Sequence, residues 1–112
     1  MKNALKKELR EKAKNHKTTM GVLSVKNNIN EKQYIQSSLN LEALVNKMKF
    51  LLNGGLFTNA QLQKDWTEFG SGSFTFEFVT IIPVQENQFI NYRHEILKAE
   101  EAYRAAVITE LY

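Results

Sequence analysis

Apolar residues return along this chain in two rhythms. From Met20 to Lys26 they alternate loosely with polar ones, Met20, Val22 and either Ser24 or Val25 marking the faces. Extended structure resumes from Gln33 to Ser37, and Asn27-Asn28-Ile29-Asn30 between the two runs tolerates turn conformations, so the stretch predicts a β-hairpin. Then the period changes. Leu41, Leu44, Val45, Met48, Leu51 and Leu52 recur at steps of three and four, a helical stripe that Asn40 can cap and Gly54-Gly55 can end. Thr58 and Gln61 stand at capping-box spacing before Leu62, Trp66 and Phe69, the buried face of a further helix that Gly70 stops. Phe74, Phe76, Phe78 and Thr80 alternate with Thr75, Glu77, Val79 and Ile81, a third strand limited by Pro83. A long helix is expected from about Asn87 to Glu110, carrying Ile96, Leu97, Tyr103, Val107 and Leu111.

Ahead of the hairpin, Leu5, Leu9 and Ala13 predict a narrow amphipathic helix over 3–15. The order helix, strand, strand, helix, helix, strand, helix predicts an α+β domain, a small three-stranded antiparallel sheet flanked by helices. Residues 1–18 form an added basic helical arm and 19–112 the domain, with no repeat or linker inside it.

Composition narrows the chemistry. Aromatic and aliphatic residues suffice for a core without a staple at 112 residues. The absence of cysteine excludes disulfides, thiolate zinc sites and thiol nucleophiles, and fits a cytoplasmic location. No secretory h-region precedes Thr18, and no apolar run approaches the roughly 20 residues that cross a bilayer. Charge is unevenly placed: residues 1–18 hold seven of the fifteen Lys and Arg but two of the twelve acids, a net +5 that leaves the rest at −2. Such an arm either lies along phosphates or is a solvated helix that keeps the protein soluble.

The ordered set of segments carries a resemblance. Gly21-Val22-Leu23, Tyr34-Ile35-Gln36 and "SSLNLEALVNKMKFLLN", followed by "NAQLQKDWTEFGSGSFTFEFV" and "ILKAEEAYRAAV", resemble the GIY-YIG nuclease superfamily, above all its small bacterial members. The likeness covers residues 20–108; the order of the segments carries it, since no single motif is specific. Members cut DNA with one divalent ion. The resemblance implies a tyrosine from each hairpin strand near the attacked phosphate, an arginine on the next helix and a glutamate on a later one. A hard ion such as Mg²⁺ or Mn²⁺ can be held by one carboxylate if water and phosphate oxygens complete its shell. A phenol can help to activate water, and an arginine fork steadies charge building on phosphate.

Carried over position by position, the match is partial. Gly21 opens the first motif, but Leu23 takes its tyrosine position. Tyr34 is the second motif's tyrosine and Gln36 stands for its glycine. Leu44 falls at the arginine, Met48 at a common histidine, and Glu100 at the metal-binding glutamate, with Glu101 beside it. Leucine neither accepts a proton nor neutralises a phosphate. As a substitute cation, Lys47 lies about 60° around the helix from Leu44 and Lys49 about 140°; His94 as a substitute base falls on another helical side than Glu100.

The expected function is a divergent nuclease-family domain that binds DNA with weak or lost phosphodiester hydrolysis. Tyr34 and Glu100 are the remaining catalytic positions, Glu100 the metal ligand, and Lys47, Lys49, Ser37 and Asn40 the nucleic-acid contacts. Two alternatives stand beside it: an active Mg²⁺- or Mn²⁺-dependent endonuclease using Tyr34 and Glu100, and a protein interaction module on an inactive scaffold. Each residue also has a plainer role. Tyr34 can be a strand aromatic, Glu100 a surface carboxylate, and Ser37, Ser38 and Asn40 helix caps. Trp66, Phe69 and the run from Phe74 to Phe78 are expected in the core, and His16 in solvent.

Overall fold

In the computed structural model, which describes residues 18–84 and 89–112, the first rhythm becomes a hairpin. Strand β1 (Met20–Asn27) pairs antiparallel with β2 (Gln33–Ser38), and on its other side with β3 (Phe74–Ile82). The order β2-β1-β3 makes β1 the central strand, buried along its length except at half-buried Lys26. The turn works as its asparagines predict. Asn27 Oδ1 accepts from Ile29 N–H and Asn30 Oδ1 from Lys32 N–H, while Glu31 takes the left-handed step at φ 64°.

Helix α1 (Leu41–Asn53) starts where Asn40 Oδ1 accepts from Ala43 N–H at 3.0 Å, the expected cap. Helix α2 (Ala60–Phe69) differs in its start. Its cap is Asn59, accepting from Leu62 N–H at 3.1 Å, and Gln63 rather than Gln61 reaches back, accepting from Phe57 N–H. Asparagine one residue nearer the first turn displaces the Thr58 box. Helix α3 (Tyr92–Ala106) is shorter at both ends than expected, starting at the Asn91 cap. After Val107 the chain leaves the helix, and Leu111 forms a parallel bridge with Gln33. The arm helix expected over 3–15 and His16 lie outside the described residues.

One face of the sheet carries the main core. Leu23, Val25 and Phe74 pack with Leu41, Leu44, Met48 and Leu52 of α1 and with Leu62 and Trp66 of α2. Phe69 stays half-buried at the end of the stripe. On the other face α3 lies against β2 and β1, where Val22, Ile35 and Ile96 are buried. The third strand departs from strict alternation. A bulge between Val22 and Leu23 shifts the pairing, so Phe78 faces Leu23 but Thr80 faces Val22. Thr80 therefore leaves the side that holds the three phenylalanines. Gly21 sits at this irregularity with φ 151°, and a Cβ there would fall 1.9 Å from the Thr80 carbonyl oxygen. Only glycine fits.

Candidate functional site

Tyr34 lies on β2, and Glu100 of α3 meets the outer edge of that strand at Ser37. The pairing with β1 leaves the backbone groups of Gln33, Ile35 and Ser37 pointing away from the sheet. Each is met by a partner from the C-terminal third of the chain. Gln33 N–H donates to the Glu110 carbonyl at 3.0 Å and its carbonyl accepts from Tyr112 N–H at 2.9 Å. The Ile35 carbonyl accepts from Arg104 Nη2 at 2.9 Å. Ser37 N–H donates to Glu100 Oε1 at 2.7 Å. Glu100 and Arg104, one helical turn apart, also face each other at 4.0 Å. An edge strand is a liability unless covered, and here two charged side chains and the tail cover it.

Tyr34 projects from the same strand on the side of α1 and α2, its ring edge-on to Phe57 at 5.5 Å. Its hydroxyl donates to Gln36 Oε1 at 2.9 Å. Burial pushes its pKa above that of an ordinary phenol, the Arg104 charge pulling down and the Glu100 charge pushing up. Such a phenol keeps its proton at neutral pH, the wrong poise for a general base. Leu23 and Leu44 are sealed in. Leu23 is 0% exposed and Leu44 9%, both inside the main core cluster. Leu44 cannot be traded for a solvated cation where it stands.

The remaining positions divide between two surfaces. Ser37 and Asn40 line an open cleft of about 470 Å³ between the β2–α1 connection and the start of α3, with exposed Arg93 on its wall. Asn40 serves the α1 cap there, and Ser38 Oγ accepts from Asn40 N–H. Lys49 is elsewhere, its ammonium 5.1 Å from the centre of the Phe76 ring on β3. Lys47 is exposed and, at about 200° from Lys49 around α1, lies on the opposite flank. His94 is exposed in the first turn of α3. The structure thus leaves Tyr34 and Glu100 on different sides of β2, within electrostatic reach of each other, places Ser37 and Asn40 on one cleft, and sets Lys49 apart.

Two participants escaped the sequence reading. Arg104 is the guanidinium beside Glu100, and its position four residues on in the same helix was the available signal. Gln36, at the position of the motif glycine, holds the Tyr34 hydroxyl; its same-face i+2 spacing on a strand pointed to it.

The donor set can be tested against a divalent ion. Glu100 offers one carboxylate whose oxygens face a backbone N–H and a guanidinium. A hard cation needs oxygen donors free of competing positive charge. This arrangement does not fit one.

No family model and no curated protein matches the sequence. Solved structures do. A glutamate-to-alanine mutant of the catalytic domain of intron endonuclease I-TevI superposes with a TM-score of 0.65 at 19% identity, over 79% of this chain and 82% of that one. The catalytic domain of homing endonuclease I-TevI gives 0.64 at 21% identity, over 78% and 86%. At such identity the likeness concerns the fold. With its three-stranded antiparallel sheet and flanking helices, the chain has a GIY-YIG nuclease-like fold.

Proposed function

We propose that this domain binds DNA on a nuclease scaffold without efficient phosphodiester hydrolysis. The observation that carries the reading is the burial of Leu23 and Leu44, at the two positions where the family places a phenol and a guanidinium. On this reading the scaffold keeps the surface that meets a phosphate backbone, while core side chains stand where the groups that attack and neutralise the phosphate would be. Glu100 and Arg104 support the same view, since both serve the edge of β2. No hydrolytic step is derived through a metal, because the Glu100 carboxylate faces positive charge.

Binding rests on phosphate contacts. The cleft lined by Ser37, Asn40 and Arg93 is open, and Lys47 is exposed on α1. The +5 of residues 1–18 adds a long-range attraction. No pattern for reading base edges accompanies these groups, so binding is expected to be indifferent to sequence. Fluorescence anisotropy with a short duplex tests this. With about five phosphates contacted, affinity should fall by about two to three decades between about 50 and 200 mM salt. Changing the Lys and Arg residues of the arm to Gln in the full chain should flatten that dependence. Undetectable binding, or affinity indifferent to salt, would contradict the proposal.

A further inference from the structure

The two edges of the sheet are treated differently. The β2 edge is met by Glu100, Arg104 and the tail. At β3, Ser24 and Lys26 of β1 point their backbone groups at Glu77 and Thr75, so those of Phe76 and Phe78 point outward. Among the described residues, none of these outward groups has a hydrogen-bond partner; only Phe74 N–H is taken, by the Ser71 carbonyl. The strand is nine residues long with one charge, Glu77, and without an internal proline. Exposed Ile81 and Val84 extend its apolar character at the far end. The helix layer also stands back from this edge, leaving a hollow of about 270 Å³ bounded by Lys49, Trp66 and Phe76.

We propose that β3 pairs antiparallel with β3 of a second copy, about a two-fold axis at Phe76, joining the two sheets into one. The register follows from three requirements. Outward groups must meet outward groups, which leaves axes at Thr75, Phe76, Glu77 or Phe78, and an axis at Thr75 leaves Phe78 unmatched and relies on the Phe74 N–H that Ser71 already holds. An axis at Glu77 sets the two glutamates directly opposite each other, a repulsive pair. An axis at Phe78 runs the pairing into the bulge beside Val79. With the axis at Phe76, Phe76 exchanges both hydrogen bonds with its own mate, and Phe78 N–H meets the Phe74 carbonyl of the other copy. Charge then matches. Thr75 faces Glu77 of the second copy, and Lys26, which pairs with Thr75 on the inner side, stands in the same row. The contact is isologous, so each Lys26, already diagonal to its own Glu77, also faces the second copy's Glu77 across the intervening Thr75, and this longer-range attraction occurs twice.

Amide hydrogen exchange by NMR, at low and high concentration of the full chain, tests the proposal alongside sedimentation equilibrium. The Phe76 and Phe78 amides should become protected as the dimer forms, while Thr75 and Glu77, bonded to β1, stay protected throughout. Glu77→Lys should weaken the dimer about tenfold by turning two attractions into repulsions, and Lys26→Glu combined with Glu77→Lys should restore it. A chain that stays monomeric to near-millimolar concentration overturns the proposal. So does a dimer in which the Phe76 and Phe78 amides exchange as fast as in the monomer.

Discussion

Glu100 shows how one residue type at one position can change its work. In a metal site its carboxylate would face a cation, and its removal would relieve charge in the absence of the ion. Here its side chain is only 14% exposed and accepts the Ser37 N–H. Glu100→Ala should therefore destabilise the fold by about 1.5–3 kcal/mol, as measured by urea denaturation without added metal. An unchanged or improved midpoint would return the residue to a purely chemical role. Tyr34 makes the second residue-scale test. A raised phenol pKa means that the folded state favours the proton, so its stabilisation is complete below about pH 10 and is lost as pH climbs through the folded value. Tyr112 is shifted the same way by burial and by its bond to Asp65. Denaturation midpoints should thus fall in alkali, and Tyr34→Phe should make that fall shallower while Tyr112 keeps the remainder. Equal alkaline slopes in the two proteins would contradict this. Motif order alone singled out Tyr34 and Glu100. Their partners were not legible, because Ser37 N–H and the Ile35 carbonyl are backbone groups whose direction depends on strand register.

At the scale of elements, local signals carried furthest where a side chain serves its own helix or turn. The Asn40 cap, the Asn27–Asn30 turn and the strand of phenylalanines all follow from neighbouring residues. The sequence reading missed what distant contacts decide. Apolar spacing carries the last helix through to Glu110, yet the tail leaves it because Gln33 offers a strand edge and Asp65 a hydroxyl acceptor. Tyr112 Oη donates to Asp65 at 2.6 Å and accepts from Asn27 Nδ2 at 3.0 Å, clasping the hairpin to α2. Asn27 is fully buried, so the loss of this hydroxyl leaves its amide with only a long bond to Asp65 at 3.5 Å. Tyr112→Phe should cost about 1–2 kcal/mol and speed exchange of the Gln33 amide, which the tail protects. Unaltered Gln33 exchange would show that the clasp does not hold the tail. The bulge was equally invisible, since it arises from the close approach of Thr80 to Gly21 across two strands.

The whole molecule joins a nuclease-like sheet to a core that includes Leu23 and Leu44. No helix among the described residues is long and apolar enough to cross a membrane. The fold could be read from alternating periods, and it survives at 19–21% identity to the I-TevI domain because the packing pattern, not the identity of each residue, specifies it. Activity has no such tolerance. A leucine in place of a phenol keeps the core and offers no proton chemistry, so on the proposed reading fold and function part company at Leu23 and Leu44. The direct test is conversion of supercoiled plasmid to nicked circles by purified protein with Mg²⁺ or Mn²⁺, beside Glu100→Ala. The account predicts no nicking above that of the variant; steady nicking that disappears with Glu100→Ala would contradict it.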